Sequence, residues 1–160
     1  MKILIVSDSH GRNIYLKRVL ENVGCIDLLI HLGDLEGSEN FLKENVDCPI
    51  EMVSGNNDYF TSIDREKEIY IGPYKVLLTH GHRHNVNCGT ECIKEWARTN
   101  QATIVMCGHT HIPIIDQNSD VIVINPGSIS QPRQEGHRPS YILMEVEETG
   151  EIHFALNYLN

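Results

Sequence analysis

Asp8 and His10 follow the apolar run Ile3-Leu4-Ile5-Val6, and Asp34 follows a run that ends at Leu32. Asn56, Asn57 and Asp58 follow Met52-Val53-Ser54, His80 and His82 follow Val76 to Thr79, and His109 and His111 follow Ile104 to Cys107. Each time, metal-ligand side chains stand where an apolar strand should stop. Carboxylate, imidazole and amide donors without thiolate suit Mn, Fe, Co, Ni or Zn better than a structural zinc knot. Asp8 and His10, like His109 and His111, are two residues apart. In extended backbone such pairs point the same way, so each pair is expected to clamp one ion. The glycines at 11, 33, 55, 81 and 108 leave the backbone free to turn beside these positions.

Positioning these groups requires strands that end together. The first third of the chain reads strand, helix, strand, helix, strand, with strands over 2–6, 27–31 and 49–54, the pattern of a parallel sheet covered by helices. Leu16, Val19, Leu20 and Val23 fall at i, i+3, i+4 and i+7, giving one helical face that Gly24 can close. A second helix is expected over 38–45 with Ser38 as its cap. Residues 68–71 and 74–79 around Gly72-Pro73 read as a hairpin. Residues 90–100 read as a helix and 103–107 as a strand. Strands over 112–115, 121–124, 141–146 and 152–156 follow. A parallel half followed by an antiparallel half predicts two sheets packed face to face with helices outside. In open α/β sheets the crevice beyond the carboxyl ends of the strands is where ligands bind, so the clusters should converge there.

Composition narrows the function classes. With 160 residues and 41% hydrophobic content, one core and one domain over 1–160 are expected. Met1 runs straight into a strand-like segment, and no apolar run approaches the roughly 20 residues a membrane span needs. Five cysteines without framework spacing suggest reduced thiols and a cytoplasmic setting. A formal charge of −9 argues against an extended nucleic-acid surface. It does not exclude small anions, because bound divalent ions reverse the local field of an acidic pocket.

Asp8-Ser9-His10, Gly33-Asp34, Gly55-Asn56-Asn57-Asp58, His80-Gly81-His82 and Gly108-His109-Thr110-His111, with Asn125-Pro126-Gly127-Ser128 behind them, occur in the order found in the calcineurin-like metallophosphoesterase superfamily. The chain most resembles its small uncapped branch, which holds the YfcE-like phosphodiesterases and the Vps29 retromer subunit. The resemblance implies an α/β fold, a four-layer α-β-β-α sandwich of two mixed β-sheets flanked by helices. It implies Asp8, His10 and His111 on one divalent ion, Asn56, His80 and His109 on a second, and Asp34 bridging both. Mn2+ is the first expectation, with Ni2+, Co2+, Fe2+ or Zn2+ as alternatives. The implied activity is hydrolysis of a small organic or nucleotide phosphodiester by a hydroxide activated at the dinuclear centre.

One departure matters. Many relatives carry a general-acid histidine after the ligand asparagine, and this chain has Asn57, an amide that supplies no proton near pH 7. Diesters or activated esters are therefore expected over alkyl monoesters. Asn57, Asp58 and His82 are the candidates for catalytic work, and Asn57, Asn125, Ser128 and Arg133 for substrate contact. Plainer readings stand beside these: His31 as a packed histidine, Asn125 to Ser128 as a turn, Arg133 and Arg138 in surface ion pairs, and the run His84, Cys88, Cys92 as a loop entering a helix. Two other readings compete with a diesterase, a Vps29-like protein-binding scaffold and a nuclease of the same superfamily. Self-association as a homo-oligomer is left open.

Overall fold

The computed structural model describes residues 1–159. Ten strands form two five-stranded mixed sheets. The first has β1 (Lys2–Val6), β2 (Leu28–His31), β3 (Ile50–Met52), β9 (Ser140–Val146) and β10 (Ile152–Tyr158), in the order β10-β9-β1-β2-β3. The second has β4 (Glu66–Ile71), β5 (Tyr74–Thr79), β6 (Ile104–Met106), β7 (Pro113–Asp116) and β8 (Ile122–Pro126), in the order β4-β5-β6-β8-β7. Three helices, α1 (Asn13–Val23), α2 (Ser38–Asn45) and α3 (Glu91–Thr99), complete the regular structure with two single 3-10 turns at His82–His84 and Val86–Cys88.

Alternation along the strands builds the layers. Ile3 and Ile5 of β1, Ile30 of β2, and Ile142 and Met144 of β9 meet Val76, Leu78, Ile104, Met106 and Ile124 of the second sheet in one buried cluster. Leu4, Val6 and Leu29 point the other way, onto Leu16 and Val19 of α1 and Leu42 of α2. On the far side Leu77, Val105 and Val123 pack against Ile93 and Ala97 of α3. The result is helix, sheet, sheet, helix, the four-layer sandwich expected from the sequence.

Two expectations are corrected. The chain does not divide into a parallel half and an antiparallel half. β1, β2 and β3 run parallel, but β9 returns antiparallel beside β1, and β5, β6 and β8 run parallel within the later sheet. The reason is that β1 is covered on its open edge by a strand more than a hundred residues downstream, a pairing no local pattern encodes. Ser38 is not a cap. The N-cap is Gly37 in left-handed backbone, and Ser38 is buried with its hydroxyl 3.1 Å from that of Ser9.

Candidate metal centre

Five of the six parallel strands, β1, β2, β3, β5 and β6, release the chain at the same edge of the sandwich. Backbone hydrogen bonds then tie the loops together: Asp8 to Gly33, His10 to Asp34, Gly108 to His80 and Ile129 to Ser7, each at 3.0 or 3.1 Å. Asp8, His10 and His111 each turn a ligand atom to within 4.8 Å of the others, and so do Asp8, Asp34 and His80. His111 Nε2 is 3.0 Å from Asp8 Oδ1. His10 Nε2 is 3.9 Å from both Asp8 Oδ1 and Asp34 Oδ2, and His80 Nε2 is 3.5 Å from Asp34 Oδ2. Both carboxylates therefore reach both groups of imidazoles.

The backbone here is not extended, which corrects the spacing argument. Asp8 has φ 54°, His10 47°, Asp34 54°, His109 69° and His111 60°. Left-handed backbone is sparsely used by residues other than glycine, Asp and His among the better tolerated, and its recurrence marks a site held in place by its surroundings. Two glycines allow the approach. A Cβ on Gly33 would lie 2.7 Å from His80 Nδ1, and one on Gly108 would strike the Ser7 hydroxyl and the Asp8 carboxylate.

The hydrogen bonding on the outer side of each ring fixes what faces inward. His80 Nδ1 donates to the Leu32 carbonyl at 2.7 Å, His111 Nδ1 to the Gln131 carbonyl at 2.6 Å, and His10 Nδ1 to the Glu36 carboxylate at 2.6 Å. A ring that donates through Nδ1 presents a lone pair at Nε2 when neutral, the form in which imidazole binds metal. The Nε2 atoms of His10 and His111 face each other at 3.3 Å. Asp8 Oδ1 and His80 Nε2 are buried with no hydrogen-bond partner among the described residues. Converging acceptors without a donor between them fit a cation, and these residues suit one or two divalent ions.

Burial lowers the His80 pKa, but Asp34 and Asp8 outweigh burial and raise it, so the carboxylates draw positive charge into this cluster. Burial opposes ionisation of Asp8, but the adjacent His111 and His80 rings outweigh it, and the carboxyl lies below its ordinary range. Asp34 is likewise held well below that range: burial raises it, while His80 and the Asn57 hydrogen bonds lower it further. Both are carboxylates at neutral pH. Burial, helped by the neighbouring His80, lowers His82 and His109 below the ordinary histidine value.

Other candidates divide. His109 donates its backbone N–H to Asp8 Oδ2 at 3.1 Å and its ring lies 5.1 Å from that of His80, but its Nε2 accepts from the Asn87 amide at 3.0 Å. Asn56 is exposed and outside the cluster, lining a cavity with His82. Asn57 lies on the Asp34 carboxylate through its backbone N–H (2.9 Å) and its side-chain amide (2.7 Å). Asp58 accepts from the N–H groups of Glu36 and Gly55 at 2.7 Å each, so it holds two site loops together rather than facing a substrate.

Asn125 and Ser128 also differ from the expectation of substrate contact. Both are buried with their polar atoms engaged. Asn125 donates to the Gly108 carbonyl and Thr110 hydroxyl and accepts from Gly127, while Ser128 donates to the Asp8 carbonyl at 2.8 Å. They shape the loops that carry His109, His111 and Asp8. Arg133 is exposed, and its backbone N–H donates to the His111 carbonyl. His84 stacks on Trp96 and bonds Glu66, and Arg138 lies over the Tyr158 ring. Glu36 and Asn87 were missed from sequence. Glu36 stands two residues after Asp34, a weak signal, and Asn87 lies in an irregular segment that gives none.

The calcineurin-like phosphoesterase superfamily domain matches residues 1–149. The chain belongs to that superfamily. It is 30% identical to a probable metallophosphoesterase of Mycoplasma genitalium, over 99% of this chain and 95% of that one. It is 28% identical to the phosphodiesterase YfcE of Escherichia coli, over 91% and 88%. Among solved structures, a predicted phosphoesterase of Streptococcus pneumoniae superposes with a TM-score of 0.78 at 26% identity, covering 99% of this chain and 97% of that one. Zn2+-complexed Vps29 of Entamoeba histolytica shares the fold at a TM-score of 0.79 and 23% identity, each chain covered in full.

Proposed function

We propose that the protein is a metal-dependent phosphodiesterase acting on small organic or nucleotide diesters. The observation that carries this is the inward convergence of Asp8, His10, Asp34, His80 and His111, in which the buried Asp8 Oδ1 and His80 Nε2 have no hydrogen-bond partner among the described residues. Asp8, His10 and His111 would hold one divalent ion and His80 a second, with Asp34 serving both and Mn2+ the first choice of metal; His109 and Asn56 would complete the second by turning inward, away from Asn87 and from solvent. Ions bound there supply Lewis acidity that lowers the pKa of water and offsets charge on the phosphoryl oxygens.

The chain's own groups set the rest of the chemistry. Glu36 and the carbonyls of Leu32 and Gln131 lock three imidazoles in one tautomer, which keeps their donor atoms aimed. Arg133, exposed beside the His111 segment, is free to meet a phosphate oxygen. Neither of the two candidates at the leaving-group side is a ready proton donor: Asn57 is an amide bonded to Asp34, and His82, its pKa lowered by burial and by His80, is mainly neutral at pH 7. A leaving oxygen that departs unprotonated must already be a weak base, which favours diesters and activated esters over alkyl monoesters. Five free cysteines suit a reducing compartment such as the cytoplasm, and among the described residues no helix is long and apolar enough to cross a membrane.

The test is metal analysis with a panel of diesters and monoesters on wild type and Asp34→Asn. We expect two ions per chain, faster turnover of diesters, and loss of at least about a hundredfold in Asp34→Asn with cooperative urea unfolding retained. Asn57→His should gain monoesterase activity. A protein that binds no divalent ion and cleaves no ester would instead be a scaffold like Vps29, and faster turnover of simple monoesters would overturn the diester preference.

A further inference from the structure

Beside the cluster lies a cavity of about 320 Å³ bordered by Asn56, Tyr59, Phe60, Arg65 and His82. It adjoins the metal centre directly: Asn57, next to Asn56, bonds Asp34, and the His82 ring lies 5.5 Å from that of His80. Tyr59 is 74% exposed and Phe60 fully so. Phe60 also has φ 58°, a conformation costly for a bulky side chain. Two large rings held out in water at the mouth of a site, one on strained backbone, contribute nothing to the core.

Arg65 is exposed and has no ion pair or hydrogen bond among the described residues, although the chain carries a formal charge of −9. The cavity on the other face of Tyr59 is different. It is bordered by Glu36 and Glu39, which would repel an anion. The His82 Nδ1 atom is buried and unpartnered, a further polar group at the arginine-lined side.

We propose that this cavity is the subsite for one substituent of the diester, and that it takes a planar aromatic group bearing a second phosphate, as in a nucleotide. Tyr59 and Phe60 stack on the ring, a contact that tolerates any base because every base has a π-face. Arg65 meets the second phosphate through its planar guanidinium. This assignment rests on the diesterase reading and names its substrate class.

The experiment uses Mn2+-loaded protein and three diesters that release the same para-nitrophenolate: ethyl para-nitrophenyl phosphate, the para-nitrophenyl ester of thymidylate, and that ester with a second phosphate on the sugar. In wild type, kcat/KM should rise at each step, by roughly tenfold for the base. Phe60→Ser should collapse the first ratio toward one, and Arg65→Gln the second, each with an unchanged urea midpoint. Equal kcat/KM for the three esters, or ratios untouched by both substitutions, would overturn the subsite and leave the diesterase intact. Hydrolysis of none of them would overturn the diesterase reading and the subsite together.

Discussion

Within β6 and the loop beyond it, Ile104, Val105 and Met106 are fully buried in regular strand backbone, while His109 and His111 sit in left-handed backbone. β1 makes the same change between Val6 and Asp8. The inter-sheet core consists of apolar side chains whose backbone groups are satisfied by the ladders. The rim gathers two carboxylates and three imidazoles, with Asp8 Oδ1 and His80 Nε2 left without partners among the described residues, on backbone that costs roughly 1 kcal/mol per left-handed residue. One region stabilises the fold, and the other is stabilised by what it binds. That difference makes opposite predictions for substitution and for ligand.

The largest expected effect is in the core. Ile104→Ala, at the amino end of β6, removes buried volume between the sheets and should lower stability to urea by about 4 kcal/mol. Metal stoichiometry, measured on the folded fraction, should not change. A loss of metal comparable to the loss of stability would mean that core and rim are not separable as described.

The rim should respond to metal instead. Mn2+ at about a hundred times its Kd should raise the unfolding free energy by about 2.7 kcal/mol for one site, because the ion binds only the assembled cluster. Gly108→Val should abolish that shift, since its side chain would occupy the space of Ser7 Oγ and Asp8 Oδ2. Urea curves with and without metal that superimpose for wild type would sink the cation reading of the buried acceptors.

His31 connects the two regions and was read from sequence only as a packed histidine. It is wholly buried, with Nε2 3.0 Å from the Ser9 hydroxyl, and burial pushes its pKa down to about 4 despite the nearby carboxylates that raise it. The unfolded chain takes up this proton as pH falls through 6.5, whereas the folded chain resists until about 4. The stability it contributes is therefore complete above pH 6.5 and lost progressively toward pH 4. Between pH 7 and 5, metal-free wild type should lose about 2 kcal/mol that His31→Asn does not lose. Equal pH slopes in the two proteins would place the titration elsewhere.

What could be read without coordinates was whatever is local. β1 and α2 fall on the expected residues because apolar periodicity and bounding polar residues are short-range signals. The ligand types stood out because strands ended on them. The geometry did not, since the pointing argument for Asp8 and His10 assumed extended backbone where loop closure imposes a positive φ. The work of Ser128 was hidden because its partner, the Asp8 carbonyl, is 120 residues away. The carbonyls of Leu32 and Gln131 that orient two imidazoles belong to no residue type, so no composition could reveal them.

Ser38 gives the smallest and most diagnostic effect. Read as a cap, its hydroxyl would bond the first-turn amides of α2, and removing it would fray that turn. In the structure it makes no capping bond and lies against Ser9, whose hydroxyl also meets His31. Ser38→Ala should cost about 1 kcal/mol, the worth of one buried hydrogen bond. Amide exchange at Asn40 and Phe41 should slow or quicken only with global stability, whereas the capping role predicts local acceleration there. If those amides exchanged faster while the rest of the sheet amides did not, the buried serine pair would be incidental and the helix start, not the rim, would be what Ser38 supports.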